Sequence, residues 1–345
     1  MLIRRRMHRV VGIAKRMFQT VAEKQKTVAD MKNILSTSFQ NFDAGLKEYE
    51  TYREYNDVPD WVVVKLSSIS MMQTEMETAE KLMKEQVDEY GGDKRQARNA
   101  EVNKEQICAA IKRVVDKDVD AGFKFYDLLK KYRFCSNRDV FLSILIQKTV
   151  ETNGWKVGIE KLIDIMKKDN RAKTMAISAY YILESAFKAD CLDKVDFKSE
   201  SIIKKSTLNC LKLLILLEYG SLLQTADYCK RNDIVLKYPD VKIIVDFAGR
   251  MKTVNALLNL YDIDTFVNLP KNGHYIILEM IIKNAGKSGK EDLLEFCVTK
   301  VKNCKHLEQH EQVVLYSKIR HFYKCMNIRS PERLQKLIYR TNDWL

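Results

Sequence analysis

The stretch Asp139–Lys168, DVFLSILIQKTVETNGWKVGIEKLIDIMKK, carries the pattern that predicts the fold. Its first half repeats apolar residues at helical spacing, and a second amphipathic segment follows. Between them, Asn153-Gly154 breaks the periodicity, and glycine is the residue most suited to a left-handed helix end. The stretch therefore predicts a helix–turn–helix unit of about 34 residues, the length of a tetratricopeptide-type repeat.

The same plan recurs along the chain and indicates a repeat protein. Small residues early in each second helix mark the period and would let that helix approach its neighbours closely: Ala79, Gly122, Gly158, Ala226 and Ala256. Only 12 Gly and 4 Pro punctuate 345 residues, which favours long helices over sheets. We predict an all-α, right-handed α-solenoid of about seven to eight repeats.

The chain divides into segments by composition. We predict the repeat array over residues 57–345, with GGDKRQARNAEVN at 91–103 as an inserted, exposed loop. Residues 20–56 have a helical pattern but pair less cleanly, so they are interpreted as an N-terminal helical cap.

Residues 1–19 contain no acidic residue, and their basic residues supply nearly half of the net charge of +13. The basic residues alternate with apolar ones, as in an amphipathic helix: Arg4, Arg5, Arg6, Arg9, Lys15 and Arg16. That composition is typical of a mitochondrial transit peptide and predicts a location in the matrix. A solvated basic helix is the alternative.

Two further features agree with a matrix protein. The eight cysteines are scattered and form no CxxC pair, which is typical of a reducing compartment. No apolar run is long enough to span a bilayer, and the longest, Leu211–Leu217, is interrupted by Lys212.

Two units resemble a known repeat family. The stretches Asp139–Lys168 and His274–Val301 (HYIILEMIIKNAGKSGKEDLLEFCVTKV) are similar to pentatricopeptide (PPR) repeats, especially to the degenerate arrays of mitochondrial leucine-rich PPR-motif proteins. The resemblance implies binding of single-stranded RNA along the concave face, in organelle RNA stability, processing or translation.

Base reading by such repeats uses a polar side chain early in the first helix of each unit. Counting back fifteen positions from the small residue gives Ser143, and alignment through Gly286–Gly289 gives Glu279. The remaining units give apolar residues that cannot hydrogen-bond a base: Val64, Ile107, Leu211 and Val241. Either the register is off by one, or the array binds phosphates or protein without a base code.

Phosphate binding needs only cations, and the candidates lie mostly near predicted helix ends: Lys112, Arg113, Lys130, Lys131, Arg133, Lys167, Lys168, Lys204, Lys205 and Lys212. A solvated charged face, complementing the helix dipoles, explains such residues equally well.

Catalytic motifs are missing from the sequence. It contains no GxxxxGK[ST], GxGxxG or GxSxG, and its acids beyond residue 240 are dispersed. Cys297, Cys304, His306 and His310 follow the order C-x6-C-x-H-x3-H, which matches no common zinc module. We therefore expect no enzyme activity, no cofactor and no metal.

The sequence favours two functions, and a third, a membrane-associated basic protein, would require the N-terminal helix to be retained in the mature chain. The first is RNA binding, alone or within an RNA–protein assembly with protein partners; it requires surplus cations on the concave face. The alternative is a non-catalytic, protein-binding α-solenoid scaffold, tetratricopeptide-like or ribosome-associated, with little RNA contact. A scaffold would instead expose apolar and aromatic residues, such as Tyr180, Tyr181 and Phe187.

Overall fold

The computed structural model describes residues 21–56, 58–90, 104–135, 139–168, 175–197 and 203–342. Within these ranges every regular element is a helix, which confirms the predicted all-α class. The predicted leader 1–19 and the predicted loop 91–103 lie outside the described residues. The α-helices are α1 (Val21–Gln40), α2 (Phe42–Tyr55), α3 (Asp60–Met72), α4 (Met76–Tyr90), α5 (Lys104–Lys117), α6 (Val119–Lys131), α7 (Asp139–Lys168), α8 (Ala176–Lys188), α9 (Lys205–Tyr219), α10 (Leu222–Arg231), α11 (Tyr238–Met251), α12 (Val254–Asp262), α13 (Gly273–Lys287), α14 (Glu291–Asn303), α15 (Gln309–Cys325) and α16 (Glu332–Asn342).

The helices pair into hairpins, each with a first and a second helix. The pairs are α1/α2, α3/α4, α5/α6, the two arms of α7, α9/α10, α11/α12, α13/α14 and α15/α16. Each first helix also packs against the first helix of a neighbouring hairpin, from α1 to α7 and again from α9 to α15. This stacking is that of a helical-repeat solenoid. The predicted cap, α1/α2, is itself a hairpin of this kind.

The chain forms two compact units, one ending at Ile182 and the other beginning at Leu183, so the boundary falls inside α8. Unit 1 contains the hairpins up to α7, and unit 2 contains the hairpins from α9 onward. No helix among the described residues combines the length and hydrophobicity needed to cross a membrane.

Gly154 separates the two arms of α7, where the sequence predicts a break. Its φ of 81° and ψ of 169° lie in a region that is essentially restricted to glycine. The conformation is more extended than the predicted left-handed helix end. Both conformations have a positive φ, which glycine adopts without the steric cost of a Cβ.

The small residues of the second helices make the predicted close contacts. A Cβ on Gly122 would come within 2.8 Å of Val115 in its own hairpin and 3.1 Å of Leu145 in the next. Gly45 in α2, which the repeat pattern missed, lies in the same way against Ser38. In α10 the register differs by one: Ala226 is half-buried, and Thr225 occupies the packed position.

Helix α8 departs from the plan. The sequence pattern also predicts a weak second helix around Val195–Ile203. A short 3₁₀ turn, Leu192–Lys194, follows α8, and residues 195–197 are not helical; residues 198–202 lie outside the described residues. Val195 and Phe197 are both buried, which is an alternating pattern and not a helical one.

The N-terminus of α8 is capped from the preceding hairpin. The Asp139 carboxylate accepts hydrogen bonds from the backbone N–H groups of Ile177 (2.6 Å) and Ser178 (3.1 Å), and from the Ser178 hydroxyl (2.7 Å). A carboxylate at this position satisfies otherwise unpaired amides and complements the helix dipole.

Candidate nucleic-acid interface

Several cations on the second helices of unit 1 are paired with acids of neighbouring hairpins. Lys131 of α6 donates to Glu80 of α4 at 2.6 Å, and Lys161 of α7 lies 3.5 Å from Asp120 of α6. Arg53 of α2 likewise pairs with a carboxylate of α4. These charges therefore connect hairpins, which leaves them less available for a ligand.

The first helices of unit 1 bring three cations together without such partners. Arg113 of α5 and Lys32 of α1 both lie close enough to Lys65 of α3 for their positive charges to lower its pKa. The Arg113 guanidinium donates to the Ser68 hydroxyl at 2.9 Å and lies 5.0 Å from the centre of the Phe39 ring. Within the described residues, no acidic side chain forms a salt bridge with Lys32, Lys65 or Arg113.

Two aromatic rings accompany these cations. Phe39 is 49% exposed, and Trp61 lies one turn before Lys65, whose ammonium is 5.1 Å from the indole centre. We call Lys32, Lys65, Arg113, Phe39 and Trp61 the cationic cluster. Cations that follow a backbone, beside rings that can stack bases, are the composition of a single-strand binding groove.

Electrostatics in the cationic cluster favour an anionic ligand. Partial burial, followed by repulsion from Arg113 and Lys32, lowers the pKa of Lys65. Burial also lowers the pKa of the Arg113 guanidinium. Three like charges on neighbouring helices repel one another, and a bound phosphate would relieve that repulsion.

The cationic cluster has a clear limit at its α5 end. Lys117 donates to the backbone carbonyl of Met72, and Lys148 of α7 lies 3.7 Å from both Asp116 and Glu151. Beyond Arg113, the first-helix surface is therefore a mixture of both signs of charge.

Neither residue predicted to read bases is free to do so. Ser143 is 4% exposed, and its hydroxyl donates to the Val140 carbonyl at 3.0 Å. The apolar residues at the equivalent positions are buried as well: Val64, Ile107, Leu211 and Val241. Glu279 of α13 is partly exposed and forms an ion pair with Lys318 of α15. No described residue at these positions offers an unengaged polar group to a base.

The other predicted phosphate contacts are scattered. Lys130 pairs with Asp127 at 2.9 Å. Lys212 is buried, and burial lowers its pKa while Asp193 and Asp196 raise it. The side chain of Lys168 lies outside the described residues. Besides the paired Lys131, five candidates are exposed: Lys112, Arg133, Lys167, Lys204 and Lys205.

Lys204 and Lys205 sit at the N-terminus of α9, where no acid occupies the first turn. Cations near a helix N-terminus oppose the helix dipole, so the expectation that the basic candidates complement helix dipoles is wrong for this pair.

The residues considered for zinc do not assemble as a set. Cys297 is fully buried in α14, and burial raises the pKa of its thiol to about 12. His310 is exposed and lies 3.4 Å from Glu308, apart from His306, which approaches Asp264. None of the eight cysteines, all within the described ranges, forms a disulfide.

Of the residues in the cationic cluster, only Arg113 was predicted from the sequence. Trp61, Lys65 and Ser68 follow helical spacing, as do Lys32 and Phe39, so each pair or trio shares one helix face. Their convergence depends on the stacking of α1, α3 and α5, which no local pattern reveals.

Comparison of the chain with protein-family models and with characterised proteins yields no match to either. The function therefore has to be inferred from the described surface and from the repeat pattern.

Proposed function

We propose that this chain is a mitochondrial RNA-binding helical-repeat protein that acts in organelle RNA stability, processing or translation. It holds single-stranded RNA through the cationic cluster, by phosphate contacts and base stacking, and not through a base code. The observation that carries the proposal is the convergence of Lys32, Lys65 and Arg113 on successive first helices beside Phe39 and Trp61.

The spacing of these residues suits a strand that crosses the hairpins. Packed helices lie about 8–10 Å apart, so cations on α1, α3 and α5 can each meet a different phosphate. Guanidinium and ammonium groups both bind phosphate oxygens, and aromatic rings stack bases without selecting a sequence. The mitochondrial part of the proposal rests on the composition of residues 1–19 and on the PPR resemblance.

The direct test measures binding of labelled oligouridine and oligoadenosine to the whole chain at several salt concentrations. The triple variant Lys32→Gln, Lys65→Gln, Arg113→Gln is compared with a control of identical charge change, Lys47→Gln, Lys84→Gln, Lys124→Gln. The control residues are exposed on α2, α4 and α6, the second helices of the same hairpins. Circular dichroism melting confirms that both variants fold.

We expect the cluster variant to lose about 10- to 100-fold in affinity. The slope of log K against log salt should fall by about 2, from three lost phosphate contacts at ~0.7 each. The control should keep the wild-type slope within experimental error. Equal losses in both variants would overturn the assignment of the site, and absence of binding by the wild type would overturn RNA binding itself.

A scaffold function has one specific observation in its favour. Large apolar side chains are exposed in and around α10, most clearly Leu223 (64%) and Val235 (73%), with Tyr219 and Tyr238 beside them in sequence. The residues proposed as a scaffold surface from sequence are less accessible, since Tyr180 is buried and Phe187 packs against Tyr219.

Crosslinking in purified mitochondria, followed by sequencing of bound RNA, distinguishes the two functions. An RNA binder returns transcripts above background, and the cluster variant returns fewer. A scaffold returns no enriched RNA, while Leu223→Glu with Val235→Glu removes its co-purifying proteins.

A further inference from the structure

Three chain segments of unit 2 bring Asp264, His274 and His306 together. Asp264 lies in the 3₁₀ turn after α12, His274 in the first turn of α13, and His306 in the link between α14 and α15. The Nε2 atoms of His274 and His306 lie 3.4 Å and 3.9 Å from the same carboxylate oxygen, Oδ2 of Asp264. One ligand atom from each residue falls within 4.8 Å of the others.

His274 is the least satisfied member of the group. Its ring is 3% exposed, and neither ring nitrogen has a hydrogen-bond partner among the described residues. Buried polar atoms in native proteins are nearly always paired, so a buried imidazole of this kind indicates a partner of another sort. Nε2 lies 3.4 Å from the shared carboxylate oxygen, without the alignment of a hydrogen bond.

The carboxylate is held in position for such a partner. Asp264 Oδ1 accepts the backbone N–H of Leu269 at 2.8 Å, which leaves Oδ2 directed at the two imidazoles. Backbone hydrogen bonds to the outer oxygen of a metal-binding carboxylate orient the inner one. The His274 and His306 rings are stacked, with centroids 4.6 Å apart and an angle of 10° between their planes. An imidazole binds a metal in the plane of its ring, so the exposed His306 side chain has to rotate for both Nε2 atoms to meet one ion.

We propose that Asp264, His274 and His306 bind one zinc ion, through Oδ2 of the aspartate and Nε2 of each histidine. Two imidazoles and a carboxylate are a zinc ligand set, and three protein ligands leave a fourth position for water or another small ligand. Tetrahedral zinc with bonds of about 2.0–2.1 Å separates its ligand atoms by about 3.3 Å, close to the spacings on either side of Oδ2. The His306 side chain is 52% exposed, so the open position is reachable from solvent.

Bound zinc would connect the α12–α13 link to the α14–α15 link and so fasten consecutive hairpins of unit 2. Sequence spacing could not reveal the site, because its residues are separated by 10 and 32 positions.

The test uses the whole chain, stripped of metal and titrated with Zn²⁺ and separately with Co²⁺. We expect one high-affinity ion per chain, the visible absorption of tetrahedral Co²⁺, and a higher melting temperature that a chelator reverses. His306→Gln is the first variant, because more than half of this side chain is exposed. It should weaken zinc binding by more than about 100-fold, since even outer-shell substitutions cost 10- to 100-fold.

His310→Gln is the matched control. It removes an exposed histidine from the first turn of α15, four residues after His306, and should leave zinc affinity, the Co²⁺ spectrum and the metal-dependent melting shift unchanged. Asp264→Asn provides a second loss-of-site variant that keeps an oxygen to accept the Leu269 N–H. The proposal is overturned if the wild type takes up no stoichiometric metal, or if His306→Gln and Asp264→Asn bind zinc as the wild type does.

Discussion

Nη1 of Arg113 donates to the Ser68 hydroxyl at 2.9 Å, which joins the first helices of two consecutive hairpins, α5 and α3. The same guanidinium lies over the Phe39 ring of α1. Arg113 therefore spans three first helices while retaining further N–H donors for a ligand. Its position explains why the cationic cluster is a property of stacked hairpins and not of any single repeat.

Arg113→Lys separates the charge of this residue from its geometry. The lysine keeps one phosphate contact but cannot reproduce the planar fork that reaches Ser68. We expect the salt slope of RNA binding to stay at the wild-type value while affinity falls by less than about tenfold. Arg113→Gln should reduce the slope by about 0.7. Filter binding at several salt concentrations measures both effects, and equal slopes for the two variants would count against phosphate contact.

Ser143→Ala tests the absence of a base code. The hydroxyl is buried and bonded within its own helix, so its removal should leave the ratio of oligouridine to oligoadenosine affinity unchanged. Competition binding provides the measurement. A change in that ratio of tenfold or more would restore Ser143 as a base-reading residue.

Gly122→Ala tests the close contact between hairpins. The added Cβ meets Val115 and Leu145, so we expect a loss of about 1–3 kcal/mol in the free energy of unfolding, despite the better helix propensity of alanine. Gly249→Ala is the control, because the nearest atoms there belong to the flexible end of Met280. Its stability should change by less than about 1 kcal/mol in urea denaturation. Equal effects would exclude the packing explanation.

Asp139→Ala tests the cap of α8. Loss of the carboxylate leaves the Ile177 and Ser178 amides unpaired and should cost about 0.5–2 kcal/mol. Asp139→Asn keeps one acceptor oxygen and should cost less. Hydrogen exchange of the two amides is the local readout, and unchanged protection in the alanine variant would contradict the cap.

Glu218→Gln tests the effect of burying the Glu218 carboxylate in unit 2, where its pKa is raised. Burial raises the pKa of Glu218, the Ala256 N–H at 2.8 Å opposes the shift, and Glu184 adds to it. Because the folded pKa is raised, the folded chain holds this proton more tightly, and stability falls as pH rises through that pKa. Glutamine keeps the acceptor for Ala256, so the variant should melt higher than the wild type at pH 7. The difference should vanish near pH 4; a difference independent of pH would contradict this assignment.

Much of the architecture could be predicted from local pattern. The break at Asn153-Gly154, the helical apolar spacing and the small residues at Gly122 and Gly158 identify the hairpins, because each feature is a short-range requirement of backbone or packing. The register error at Ala226 arose because adjacent small or polar residues carry no local signal of which one faces the core. The predicted second helix after α8 is wrong for residues 195–197, where the buried Val195 and Phe197 alternate with an exposed residue.

The candidate sites were less predictable. Arg113 was predicted for its charge alone, and Lys65 and Trp61 were missed; all three belong to helix faces that meet only when hairpins stack. The sequence order grouped His306 with cysteines and with His310. In the structure its neighbours are Asp264 and His274, which come from the preceding hairpins.

The sequence by itself determined the all-α class, the hairpin repeat and the acid-free, basic N-terminal segment, because these depend on spacing and composition over a few turns. Only the tertiary structure decided which charges pair between hairpins, which cations converge on the first helices, and which histidines share a carboxylate. Side chains tens of residues apart interact through stacking geometry, and that geometry is set by the summed packing of every hairpin between them.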